Sequence, residues 1–202
     1  MFARWHFRID LAEECGAQIV EFAVALPLLV VFVVGIFDFS GAFTLKQKLT
    51  NVARDAARVA AADPASDVPL SSTTLPASVT DAYQLIANYF TVNQMNNCGI
   101  TAGSSTNTGT TWTFSATGSG CPAPGLTIII NRGYLFPESN SSVAPSVSCA
   151  AQAVGSQTAV IGTCVSIQYA YQWRFGNVAS LLGSSPVLPR ALSATAVAMN
   201  EN

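Results

Sequence analysis

The first patterned feature of the chain is an apolar run close to its N-terminus. Residues 22–37 read FAVALPLLVVFVVGIF, sixteen positions without a charge. A helix that spans a bilayer needs about 17–25 apolar residues, and the run reaches that length when extended back over residues 17–20 and forward over residues 39–45. The extension takes in Glu21 and Asp38, and a carboxylate within or beside a membrane segment is costly enough to need a specific reason. Pro27 removes one backbone donor and allows a kink. Farther on, Leu45, Leu49, Val52, Ala56 and Val59 recur at helical spacing, with Lys46, Lys48, Arg54, Asp55 and Arg58 on the other faces. Only Gly35 and Gly41 separate this stripe from the apolar run, so one helix is predicted over residues 17–62, roughly 70 Å long at 1.5 Å per residue. Asp63-Pro64 stops it, because proline disfavours the helical conformation of the residue before it.

Later segments are shorter and more polar. Residues 63–78, rich in Pro, Ser and Asp, read as a linker. Thr80-Asp81 is a predicted cap for a second helix with Tyr83, Ile86, Ala87 and Phe90 on one face. Residues 96–125 are mostly Gly, Ser, Thr and Asn, with a short strand expected at 112–114; residues 126–131 form a compact β-branched run, and residues 140–148 read as loop. The clearest strand is 165–173, where Val165, Ile167, Tyr169, Tyr171 and Trp173 alternate with small or polar residues; strict alternation predicts a half-exposed antiparallel strand. A last strand is expected at 192–199. The predicted class is α+β, a long N-terminal transmembrane helix continuing into a small head with an antiparallel sheet.

Composition narrows the function classes. The 202 residues are 50% hydrophobic and 10% charged, against about 25% charged in ordinary soluble domains. A net charge of −2 gives no footprint for nucleic acid. Beyond residue 82 the charged residues are Arg132, Glu138, Arg174, Arg190 and Glu201, so that half has the polar, weakly charged make-up common in exported β-rich domains.

The cysteines divide around the apolar run: Cys15 precedes it, while Cys98, Cys121, Cys149 and Cys164 follow. Four cysteines on an oxidising side make two disulfides, with three possible connectivities. Sequence order favours Cys98–Cys121 and Cys149–Cys164, each closing a modest loop worth about 2–4 kcal/mol; buried free thiols are the plainer alternative. A zinc site lacks closely paired cysteines, and the one histidine is His6.

A cleavable secretory signal would have a shorter apolar core and small residues at a cut site after it; here DFSGAFTLKQKL continues the helix. For orientation, Arg4 and Arg8 precede the run while Lys46, Lys48, Arg54 and Arg58 follow it, so the positive-inside count points to a cytoplasmic C-terminal part. The cysteine distribution and low charge of that part point to export.

The start of the helix resolves this choice. Gly16-Ala17-Gln-Ile-Val-Glu21-Phe22 resembles the processing site of type IV-type prepilins, in which a prepilin peptidase cuts after a glycine and a glutamate occupies the fifth mature position. Cutting after Gly16 makes Ala17 the new N-terminus and places Glu21 fifth. The LPLL step at residues 26–29, the FDF at 37–39 and the ARDAAR ending at Arg58 are similar to the TadE-like pseudopilins of tight-adherence (Flp-type) pili, as is the tail with SIQYAYQW and ALSATAVAMNEN. The leader departs from the pattern in ending Glu13-Glu14-Cys15 rather than on a basic residue. The resemblance implies a cytoplasmic leader over residues 1–16, a transmembrane and amphipathic helix over 17–62, and a periplasmic α+β head over 63–202. It further implies a single-pass protein of a bacterial inner membrane, whose partners are prepilin peptidase, the lipid bilayer, other pilins or pseudopilins and the pilus assembly platform. By the same implication Glu21 pairs with the freed amino group of a neighbouring subunit; the plainer reading leaves it at the headgroup boundary.

Catalytic chemistry finds little to work with. Removal of the leader removes His6, and with it any Ser-His-Asp or Cys-His arrangement. The acids of the head are too sparse for a carboxylate pair or a metal cage, no phosphate-cradling glycine motif occurs, and no cofactor is expected. The Tyr169, Tyr171 and Trp173 series reads as a core strand face more simply than as a carbohydrate-binding stripe. The expected role is therefore non-enzymatic, a minor pilin or pseudopilin in pilus assembly. The alternative is a membrane-anchored periplasmic binding module that does not enter a fibre.

Overall fold

The structure, a computed structural model, describes residues 11–68, 74–118, 120–137, 145–150, 158–174 and 188–201, without the side chains of residues 11–15 and Ala65. Helix α1 (Leu11–Ala62) holds Pro27 within it and ends before Asp63-Pro64. Helix α2 (Ala77–Val92) follows, then strands β1 (Ser105–Thr108), β2 (Thr111–Ala116), β3 (Leu126–Pro137), β4 (Ala159–Ala170) and β5 (Ala191–Met199). The strands form one antiparallel sheet in chain order, so the fold is α+β: a long apolar N-terminal helix and a five-stranded meander. By internal packing the chain divides into two units, Met1–Ser40 with Trp173–Val187, and Gly41–Gln172 with Leu188–Asn202.

The core of the second unit is written in the strand register. Phe114, Ile128, Ile167 and Ala194 form one cross-strand row; Trp112, Ile130, Val165 and Ala196 form the next. All eight are buried on one sheet face, in one cluster with residues of both helices. Burying each large side chain contributes about 1.5–3 kcal/mol. From α2 come Val79, Ala82, Tyr83, Ile86 and Phe90 at spacings of three and four. Tyr83 stacks on Phe114 with ring centres 4.7 Å apart, and Phe90 meets Tyr169 edge-on at 5.9 Å. From α1 come Leu49, Val52, Ala53, Ala56, Ala57 and Ala60.

Several expectations need correction. The α1 contact stripe includes Leu49, Val52 and Ala56 but leaves Val59 partly exposed; Ala53, Ala57 and Ala60 complete it. Alanine lets a helix backbone approach a sheet closely, and a search for large apolar residues passes over it. Helix α2 begins at Ala77, ahead of Thr80-Asp81, with Pro76 at its N-cap position. The cap is supplied from afar: the Ser78 N–H donates to Asp67 Oδ2 at 2.9 Å, placing a carboxylate at the positive end of the helix. Strand β1, in a Gly-, Ser-, Thr- and Asn-rich segment with a strand expected at 112–114 alone, pairs with β2 as a hairpin.

Strand β4 departs most. It starts at Ala159 and stops at Ala170, so Tyr171 and Trp173 lie beyond it, and residues 162–167 are buried on both faces. Thr163 and Ser166 are fully buried despite their polarity. On the helix side Thr163 is covered by Arg132; the opposite face carries a second, smaller core, built from Ile129, Tyr134, Cys149 and Cys164 with Phe136 and Val197 against it. A strand central in the sheet, covered on both sides, loses its solvent face whatever its alternation. The expected loop at 140–148 lies partly outside the described residues; Ser146 to Ser148 lead by a turn into Cys149, whose N–H donates to the Ser146 carbonyl.

A bulge in β3 shapes one end of the sheet. Asn131 pairs with Cys164 and Tyr134 with Gly162, so Arg132 and Gly133 together oppose Thr163. The extra residue returns Tyr134 to the smaller core while Arg132 turns to the helix side. Gly133 is required there, since a Cβ at that position would lie 2.5 Å from Thr110 Oγ1.

Candidate functional site

Gly16–Ala62 is long and apolar enough to cross a membrane. Residues 16–30 are all exposed, Val31 and Val34 are half-buried, and Gly35 is the first buried position. Ile19, Phe22, Val24, Leu28, Leu29 and Phe32 are among the large apolar side chains that the fold leaves uncovered. So long an exposed apolar surface is compatible with membrane anchoring.

Gly16 lies within this helix, where glycine costs roughly 0.5–1 kcal/mol relative to alanine. Nothing lies within 4 Å of a Cβ built on it, so the chain's own packing gives no reason for a glycine there. Ala17 is exposed beside it. Glu21 is exposed as well, and no hydrogen bond or ion pair joins it to another described residue.

Asp38 behaves differently. It is 7% exposed, and its Oδ2 accepts the Arg174 backbone N–H at 2.7 Å. The next residue, Phe39, meets Trp173 with ring centres 5.2 Å apart and planes tilted by 57°. These four residues belong to the same packing unit. They supply what a buried carboxylate needs, a donor on the charged oxygen and an apolar wall beside it. In the other unit, a Cβ at Gly41 would lie 3.1 Å from Tyr171 Oη, so the absence of a side chain gives that hydroxyl room. The Tyr169, Tyr171 and Trp173 series thus splits three ways and is not a single strand face: Tyr169 packs beside the core, Tyr171 approaches Gly41 and Trp173 packs on Phe39.

The four cysteines after the apolar run form two bonds, Cys98–Cys121 and Cys149–Cys164. Cys98 belongs to the main core and the second bond to the smaller one. Burial pushes the Tyr83 and Tyr169 hydroxyls above the usual value near 10; for Tyr169 a backbone hydrogen bond at Asn96 acts in the opposite direction.

Arg132, one charge among few, proves to be a centre of the head. It is 2% exposed and donates through Nη1 to the Ala60 carbonyl, Thr163 Oγ1 at 2.9 Å and Asn200 Oδ1 at 3.3 Å. Its Nη2 donates to the carbonyls of Asp63 at 2.8 Å and Pro64 at 3.3 Å, and stands 3.6 Å from Asp67 Oδ1. A cation therefore meets the negative C-terminal end of α1, while Asp67 caps the positive start of α2. Asn200 Nδ2 returns a bond to the Arg132 carbonyl, and the Glu201 N–H donates to the Ala61 carbonyl. The one hint in the sequence was a solitary arginine after an apolar β run; its six partners come from distant segments.

Among the described residues no three His, Cys, Asp or Glu side chains gather as a metal site would require. Residues 16–58 match the family model described as TadE-like protein. The match covers the apolar helix from Gly16 and the amphipathic part as far as Arg58, so this stretch is similar to that family. No curated protein and no solved structure matches the chain.

Proposed function

We propose that this chain is a non-enzymatic minor pilin or pseudopilin that takes part in assembling a tight-adherence-type pilus. The observation that carries the reading is the exposed apolar surface of residues 16–34, which begins at Gly16, bears Glu21, and lies in the stretch similar to the TadE-like family. In this reading α1 crosses the bacterial cytoplasmic membrane once, residues 1–16 form a cytoplasmic leader, and residues 63–202 form an exported head. Two disulfides after the apolar run support export of that part, because such bonds persist in oxidising compartments.

Prepilin peptidase cuts after Gly16. The open surroundings of this glycine favour recognition by another molecule over a packing role. The cut frees the amino group of Ala17, and in the apolar setting of packed helices it is the natural partner for Glu21 of a neighbouring subunit. Other pilins or pseudopilins and the assembly platform are the partners.

Intact mass and N-terminal sequencing of the chain from wild-type and peptidase-deficient cells test the proposal. The expected result is a chain beginning at Ala17 in the wild type alone, and a full-length chain when Gly16 is replaced by a bulky residue. An unprocessed N-terminus in wild-type membranes would overturn it, in favour of an anchored module that never enters a fibre.

A further inference from the structure

The two carboxylates of the apolar helix differ in their surroundings, and the difference sets where the bilayer ends. From Ala17 to Asp38 the helix rises about 32 Å at 1.5 Å per residue, close to the roughly 30 Å of a hydrocarbon core. Up to Val34 the side chains are exposed or half-buried; Gly35 and Asp38 are the first buried positions, with Ile36 and Phe37 still exposed between them. At that level stand a buried carboxylate holding the Arg174 N–H, a half-exposed Phe39 against Trp173, and the exposed side chain of Arg174. Tryptophan collects at membrane–water boundaries, where its ring is apolar and its N–H remains hydrated. Arginine presents a planar fork of donors that fits phosphate oxygens.

We propose that Trp173 and Arg174 form a lipid-headgroup contact: Trp173 seats with Phe39 at the outer edge of the hydrocarbon, and the Arg174 guanidinium pairs with phospholipid phosphate. The Asp38–Arg174 backbone hydrogen bond holds the two residues to the helix at that depth. The occupant is the phospholipid surface, since the apolar stretch leading up to this point is one membrane thickness long. The proposal rests on the reading of α1 as a membrane span and adds its register.

The test uses the full chain carrying Trp5→Phe, in vesicles of phosphatidylcholine and phosphatidylglycerol with bromine placed near either end of the acyl chains. Trp112, sealed in the core, serves as the unquenched internal standard. Bromine near the headgroup should quench tryptophan emission strongly and bromine near the methyl end weakly; Trp173→Phe should abolish the difference. Arg174→Glu should lose most of the shallow quenching in phosphatidylglycerol vesicles, and Arg174→Lys should keep most of it. Quenching that is absent, or that survives Trp173→Phe, overturns the proposal. Quenching that appears only on dilution in lipid also overturns it, because a second copy then covers the site. Extraction of the chain by alkaline carbonate would overturn the membrane span as well, whereas a carbonate-resistant chain without quenching would overturn only the headgroup contact.

Discussion

Two stretches of α1 differ in apolar content and pattern, and have opposite fates. Over residues 16–34 large aliphatic and aromatic side chains surround the helix, and almost all are exposed. Over residues 45–60 the apolar positions narrow to one stripe, and Leu49, Val52, Ala53, Ala56, Ala57 and Ala60 are essentially sealed. The first stretch is apolar nearly all round, the pattern of a candidate membrane span. The second offers Lys46, Arg54, Asp55 and Arg58 to water and its small residues to a sheet. Smallness serves where the neighbour is a fixed backbone.

The sharpest way to break the second stretch is at its end. Arg132→Ala removes the buried cation from the C-terminus of α1 and leaves Asp67 without its counter-charge. Loss of one partner from such a buried pair costs about 3–5 kcal/mol. Denaturant unfolding of the head should show that loss, and a midpoint near the wild-type value would mean that the cluster is not centred on Arg132.

A matched pair of truncations compares the stretches directly. Leu49 is fully buried and Leu29 is 60% exposed. Leu49→Ala should destabilise the head by about 2–5 kcal/mol, while Leu29→Ala should leave its unfolding unchanged within about 0.5 kcal/mol. Equal effects would mean that residues 16–34 are packed in the head's own core, and the contrast would collapse.

The smallest effect is a pH dependence confined to the head. With the folded-state values of Tyr83 and Tyr169 raised, the unfolded chain releases protons first. Their contribution to stability is therefore complete below the ordinary value near 10 and is lost as pH rises through it toward the folded-state values. Melting temperatures across the alkaline range should fall for the wild type and fall less for Tyr83→Phe. Identical alkaline slopes would show that the Tyr83 hydroxyl does not titrate in this way.

The apolar helix and its stop were legible because each depends on local chemistry: an uncharged run of sufficient length, and a proline after Asp63. The strands at 111–116, 126–137 and 191–199 were legible in position, though not in extent, because β-branched runs and turn residues signal locally. Strand β1, reading Ser-Thr-Asn-Thr, gave no such signal, since pairing with β2 alone makes it a strand. Of the candidate site, Gly16 and Glu21 could be picked out by their setting, whereas the Asp38, Phe39, Trp173 and Arg174 grouping could not.

The sequence alone determined that one segment is long and apolar enough to cross a membrane, that its helix ends at Asp63-Pro64, and that strands follow. The first two belong to single segments and rest on local chemistry. The tertiary structure decided which face of β4 is exposed, and over residues 162–167 its answer was neither, because the Cys149–Cys164 side of the sheet carries a second core. It also decided that Arg132 joins the end of one helix to the cap of the next. Each of these turns on residues far apart in the chain, and the energy of a buried charge or a covered face depends on neighbours that only folding assembles.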